Sequence, residues 1–185
     1  MSHRLQPLRP DRMSAEQRAL YDDIMTGPRA QGPQHFALTA DDGSLRGPFD
    51  ALLRSPGVGG ALQGLGAAIR YRAELAPRER ELAILLVATH WDCDFERESH
   101  EAIARAAGFS PDEIEATRRS DASRFTGSEE MIARTVLELL AGDLSDELWS
   151  TAQVHLGEAT IFELTTLVGY YSTLALQLRV FRVGS

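Results

Sequence analysis

The chain has 185 residues, 43% hydrophobic and 25% charged, which is ordinary composition for one compact domain and unlike a low-complexity or disordered polymer. Nineteen Lys and Arg against 27 Asp and Glu leave a net charge of −8, so most of the surface repels a phosphate backbone and no nucleic-acid partner is expected. The longest unbroken apolar run, Leu82 to Ala88, is seven residues, against the roughly 20 that cross a bilayer. The first residues lack the apolar core of a signal peptide, so the expectation is a cytoplasmic protein with no membrane contact. A single cysteine, Cys93, excludes an internal disulfide and a Cys-x-x-Cys pair within one subunit.

Helix punctuation recurs along the chain and strand signals are nearly absent, which predicts an all-α fold of about seven to nine helices. Ser14 with Gln17 reads as a capping box opening a helix from Ala15 to Met25. Thr26 to Gly47 reads as a long loop with only Phe36, Ala37, Leu38 and Leu45 to bury. Pro48 opens a short helix, Phe49 to Arg54. Ser55-Pro56 repeats the signal for a helix carrying Val58, Leu62, Leu65 and Ile69 at helical spacing. Its many glycines weaken it by roughly 1 kcal/mol each relative to Ala, so close packing against a neighbour is expected to hold it. Pro77 opens a helix containing the Leu82 to Ala88 run, apolar all round and therefore central. Asp92 reads as the N-cap of a helix from Cys93 to Ala107, with Gly108 as its left-handed stop. Ser110-Pro111-Asp112-Glu113 combines a capping box with a first-turn proline. Ser128 to Leu140, Ser145 to Leu156 and Thr160 to Phe181 complete the set, with Gly142 and Gly157 as stops. No linker separates two cores, so a single domain over 1–185 is expected.

Polar residues converge on Glu81 to His100. At about 3.6 residues per turn, Cys93 and His100 lie within about 20° of one helical face and Glu96 about 60° to one side. Cys93 stands at a helix N-terminus, where the partial positive charge favours a thiolate or a bound anion. Glu81 opens the apolar run and is drawn toward the core, where it needs a partner or a proton. The same spacing serves a solvated helix face, and a lone Cys serves as a small core residue, so residues alone leave catalysis and structure both open. No paired Cys or His spacing points to a metal site, and none is expected.

The pattern Glu81, eleven residues, Cys93-Asp-Phe-Glu96-Arg-Glu-Ser-His100, then an Ala-rich helix, Gly108-Phe-Ser-Pro and Asp112-Glu113-Ile114, resembles the carboxymuconolactone decarboxylase family. That family is related to the AhpD alkylhydroperoxidases, whose motif is Glu, eleven residues, Cys, two residues, Cys, three residues, His. Here Glu96 replaces the second Cys and Phe95 the intermediate His, which resembles the decarboxylase-like branch. The likeness covers about 43–114, with a helical tail over 128–181.

The resemblance implies an AhpD-like helical bundle and homo-oligomers, trimers or hexamers. The Gly-rich helix Val58 to Ile69 is a candidate for completing its core at such an interface. It also implies a cofactor-independent decarboxylase acting on a small carboxylated lactone or related ring compound. His100 is then the proton carrier, because an imidazole donates and accepts near neutrality, with Glu81 and Glu96 orienting it. Cys93 serves as an anion or weak donor, or merely packs. Arg46, ahead of Gly47-Pro48-Phe49, is a candidate for bidentate contact with a substrate carboxylate, or a solvated loop arginine. Phe49 and Trp91 are candidates to line a substrate pocket, or packing residues. Two other readings stand beside this one: a peroxidase-like use of Cys93 with an external reductant, and a non-catalytic oligomer that binds small molecules.

Overall fold

The structure is a computed structural model, and it describes residues 4–31 and 37–183. Among these residues the regular structure is α-helix, with two 3-10 turns, Pro10–Arg12 and Ala122–Arg124, and one isolated antiparallel bridge, Thr39 to Leu45. The fold is all-α. The backbone divides into two compact units, one of residues 1–72 with 176–185 and one of residues 73–175.

The first unit contains α1 (Ala15–Thr26), α2 (Pro28–Gln31), α3 (Pro48–Leu52) and α4 (Pro56–Tyr71). Both halves of the Ser14/Gln17 capping box are present, which satisfies donors that the first helical turn would otherwise leave unpaired. The predicted long loop is partly structured: α2 lies within it, and Arg46 N–H donates to Leu38 O at 2.9 Å across the small bridge. Leu38 and Leu45 are buried as expected, in a cluster with Leu20, Ile24, Phe49, Leu52 and Leu53, whereas Ala37 is exposed. Phe36 lies outside the described residues. Buried Asp50 ties the N-terminal segment down: its carboxylate accepts from Leu8 N–H at 2.8 Å and pairs with Arg54 at 2.5 Å.

α4 departs from its apolar spacing. Val58 is 69% exposed and Leu65 38%, while the buried positions are Gly59, Gln63, Gly66 and Ile69. Gly59 decides this outcome. At Gly59 a side-chain carbon would collide with the Leu52 carbonyl, so the helix presents Gly59 to this close approach and leaves its neighbour Val58 outside.

The second unit is built around α5 (Pro77–His90), buried at every position from Glu81 to Ala88, as its all-round apolar run predicts. Around it pack α6 (Asp94–Ala106), α7 (Pro111–Arg118) and α8 (Ser128–Ala141). α9 (Asp146–His155) follows, then α10 (Gly157–Phe181), of which residues up to Ala175 belong to this unit. Each Leu or Ile buried on α5 contributes about 1.5–3 kcal/mol, which makes this helix the main apolar support of the unit. Its first turn is pinned by Arg78, which donates to Glu129 at 2.7 Å, Glu113 at 2.5 Å and Gly108 O at 2.8 Å, with its guanidinium over the Phe109 ring. Glu163 on α10 accepts from Glu74 N–H at 3.0 Å and Leu75 N–H at 3.3 Å, fixing the approach to α5.

The α5–α6 turn corrects the sequence reading. Asp92 is not the N-cap of α6; it has φ +47 and closes α5 in a Schellman turn. Cys93 N–H donates to Ala88 O at 2.9 Å and Asp92 N–H to Thr89 O at 3.1 Å. Asp and Asn suit both an N-cap and a left-handed C-terminal position, so sequence alone does not separate the two roles. Cys93 is itself the cap residue, with extended backbone, and α6 starts at Asp94.

Two substitutions on α4 test the packing. Gly59→Ala should destabilise by more than about 2 kcal/mol, because a backbone carbonyl must yield to the added carbon. Gly64→Ala, with open space around it, should stabilise by about 0.5–1 kcal/mol. Urea unfolding of the two variants reads both, and equal effects would contradict the packing described.

Candidate active site

Glu81 occupies the second turn of α5 and faces α6. It has no exposed surface, and the low-dielectric interior disfavours its charge unless a partner stands close. That partner is His100, whose Nδ1 lies 2.6 Å from Glu81 Oε2. On the other side of the ring, Nε2 is 3.4 Å from Glu96 Oε2, one helical turn earlier on α6. His100 is 6% exposed and Glu96 4%. The imidazole is therefore held between two buried carboxylates, closely on one nitrogen and loosely on the other.

Arg80 adds a fourth charge, its Nε 3.5 Å from Glu81 Oε1. With His100 protonated, Arg80 and His100 balance Glu81 and Glu96, and the cluster is neutral. Burial by itself lowers the His100 pKa, but the negative charge and hydrogen bond of Glu81, followed by those of Glu96, outweigh it and raise the pKa to about 9. The interior thus stores a proton on His100 at neutral pH.

The acids of α6 divide by their surroundings. Glu101, also buried, is saturated by Arg118 at 2.8 and 2.9 Å and by Arg105 at 2.9 Å, and serves to hold α7 against α6. Glu96 Oε1, in contrast, is buried with no hydrogen-bond partner among the described residues. Such an oxygen beside an imidazolium is suited to accept a proton or a hydrogen bond from a bound molecule.

α10 brings two aromatic rings to the imidazole. The Tyr171 ring stands edge-to-face with His100, centroids 5.3 Å apart and planes at 88°, and Tyr170 stands edge-to-face with Tyr171 at 5.1 Å. Both tyrosines and Arg80 went unmarked in the sequence. The tyrosines lie far from the motif along the chain, and Arg80 looks like any surface charge beside a helix start.

Of the residues singled out from sequence, Glu81, Glu96 and His100 come together. Cys93 is buried, its sulfur outside any disulfide, at the N-terminus of α6. Trp91 is half-buried at the C-terminal cap of α5, edge-to-face with His90 at 5.9 Å. Arg46 and Phe49 belong to the other unit, Arg46 exposed beside the small bridge, with its backbone N–H donating to Leu38 O, and Phe49 inside the apolar cluster. Among the described residues no group of three His, Cys, Asp or Glu side chains is placed to hold a metal ion, and no helix is long and apolar enough to cross a membrane.

Raised proton affinity ties stability to pH. The folded His100 binds its proton with a pKa of about 9, against about 6.5 when unfolded. Its contribution is therefore fully present below about pH 6.5 and is lost as pH rises through 9. At about 1.4 kcal/mol per unit this amounts to something on the order of 3 kcal/mol. Urea unfolding between pH 6 and 10 should show that loss in the wild type and not in His100→Gln; parallel curves for the two proteins would reject it.

Residues 56–139 match the family model described as the carboxymuconolactone decarboxylase family. No curated protein gives a significant match. The matched segment runs from the start of α4 into α8 and includes Glu81, Cys93, Glu96 and His100, the residues just described. The segment that builds the buried acid and imidazole cluster belongs to the carboxymuconolactone decarboxylase family.

Proposed function

We propose that this protein is a cofactor-independent decarboxylase of a small carboxylated lactone or related ring compound, with the His100 imidazolium as proton donor. The observation that carries the reading is the buried imidazole bonded through Nδ1 to Glu81, with Nε2 only loosely held by Glu96. Decarboxylation breaks the bond between the ring and its carboxylate. Carbon dioxide leaves, and the electron pair stays on the ring, delocalised toward the lactone carbonyl. The enzyme's task is to stabilise that charge and protonate the carbanion.

His100 suits both parts. As an imidazolium it offers positive charge to the developing carbanion, and its Nε2 proton is the deliverable one because Nδ1 is committed to Glu81. After transfer, the neutral ring stays oriented by Glu81 and takes a proton back from water. Glu81 fixes the ring and keeps the proton on it at rest. Glu96 steadies Nε2 without competing strongly for its proton, the 3.4 Å separation being longer than a good hydrogen bond. Cys93 at the foot of α6 lies two helical turns before His100, and a substrate anion at that helix terminus would meet the positive end of the dipole.

The implied self-association fits the same reading. Val58 and Leu65 stand exposed on α4, and a second copy of the chain would cover them.

The test is carbon dioxide release from a panel of carboxylated lactones, with carboxymuconolactone included. His100→Gln should lower turnover by about 10²- to 10⁴-fold, the usual worth of a positioned acid, with the helices unchanged by circular dichroism. Glu81→Gln should lower it at least about tenfold, because the ring loses its orienting charge. Wild-type turnover should hold steady up to pH 8 and fall as His100 deprotonates near 9. Turnover in His100→Gln within twofold of wild type would remove the assignment.

A further inference from the structure

We propose that Tyr171 is a positioning residue for His100, holding the plane of the imidazole so that its Nε2 proton keeps one direction. The proposal rests on the assignment of His100 as the proton donor. The two carboxylates restrain the imidazole only along the line joining its nitrogens: Glu81 holds Nδ1 at 2.6 Å, and Glu96 lies 3.4 Å from Nε2. Rocking of the ring about that line keeps both nitrogens in place but tilts the imidazole plane, and with it the Nε2–H bond, which lies in that plane and off the line. A side chain packed perpendicular to the ring blocks this motion.

Tyr171 is so placed. Its ring meets His100 at 88° with centroids 5.3 Å apart, and it is itself 7% exposed. Tyr170, also buried, stands edge-to-face against it at 5.1 Å and 87°, so the positioning ring is backed in turn. Perpendicular aromatic contacts of this kind are favourable beyond the area they bury. The pair also excludes water from one side of the imidazole, which keeps the attraction of Glu81 and Glu96 for the proton strong.

The experiment observes the His100 ring directly by NMR and needs no substrate. In the wild type the Nδ1 proton, shared with Glu81, should give a far-downfield resonance that exchanges slowly with water. Tyr171→Phe keeps the ring and should keep the resonance. Tyr171→Leu should broaden or abolish it, while thermal unfolding shows a folded protein. Tyr170→Leu, which removes only the backing ring, should speed exchange without abolishing the resonance, and it serves as the informative variant if Tyr171→Leu does not fold. With a turned-over lactone in hand, Tyr171→Leu should lower kcat at least about tenfold with little change in KM, as expected when a reacting group is misdirected and substrate binding is untouched.

A sharp, slowly exchanging proton in Tyr171→Leu overturns the proposal, as does unchanged exchange in Tyr170→Leu. Loss of the resonance in Tyr171→Phe also overturns it, since that would give the role to the hydroxyl. If no lactone is decarboxylated while the NMR pattern is as expected, the positioning role stands and the decarboxylase reading falls.

Discussion

A carboxylate removed from water must find a counter-charge or a proton, and Glu81 meets that constraint through His100. Glu81 sits at the head of an entirely buried stretch of α5, so the apolar packing that stabilises the second unit also forces the charge inward. Desolvating the pair costs several kcal/mol per ion, which only close geometry recovers. The 2.6 Å contact, Glu96 on the far side of the ring and Arg80 behind Glu81 provide it. The result is a cluster of four side chains whose charges balance when His100 carries its proton.

Much of this was legible in the sequence because it follows from local chemistry. Capping boxes at Ser14 and Ser110 set helix starts through side chains three residues apart, and the run after Glu81 placed α5 in the middle. Glu96 and His100, four residues apart on one helix, had to share a face. Three features were not legible, each for a physical reason. Asp92 serves equally well as an N-cap or a left-handed C-terminal residue, and only its tertiary setting chose the second. On α4, Gly59 faces the packed side because Leu52 approaches too closely for anything larger, and Val58 and Leu65 stand outside, against an inference drawn from apolar spacing. Tyr171 reaches the imidazole from α10, and no periodicity in the motif could indicate a partner so distant in the chain.

Glu96 stands where the two-cysteine motif described above would have its second thiol, and that changes the chemistry the position can do. Two cysteines two residues apart support thiol exchange, whereas a carboxylate at the second position gives the histidine a second anionic neighbour and deepens its hold on a proton. Cys93 remains at the N-terminus of α6 as the one cysteine of the chain. Glu81 is the main source of the raised proton affinity of His100, and Glu96 adds to it.

The Schellman turn at Asp92 has a kinetic implication as well. It makes α5 and α6 a helical hairpin, so Glu81 and His100, 19 positions apart, meet through a loop that closes quickly, and contacts of such short range form early in folding. Tyr171 comes from a helix synthesised much later and docks through long-range contacts. On this ordering the opposing charges find each other first and are sealed from solvent afterwards, so the nascent hairpin pairs its ions while they are still hydrated and never has to bury either one alone.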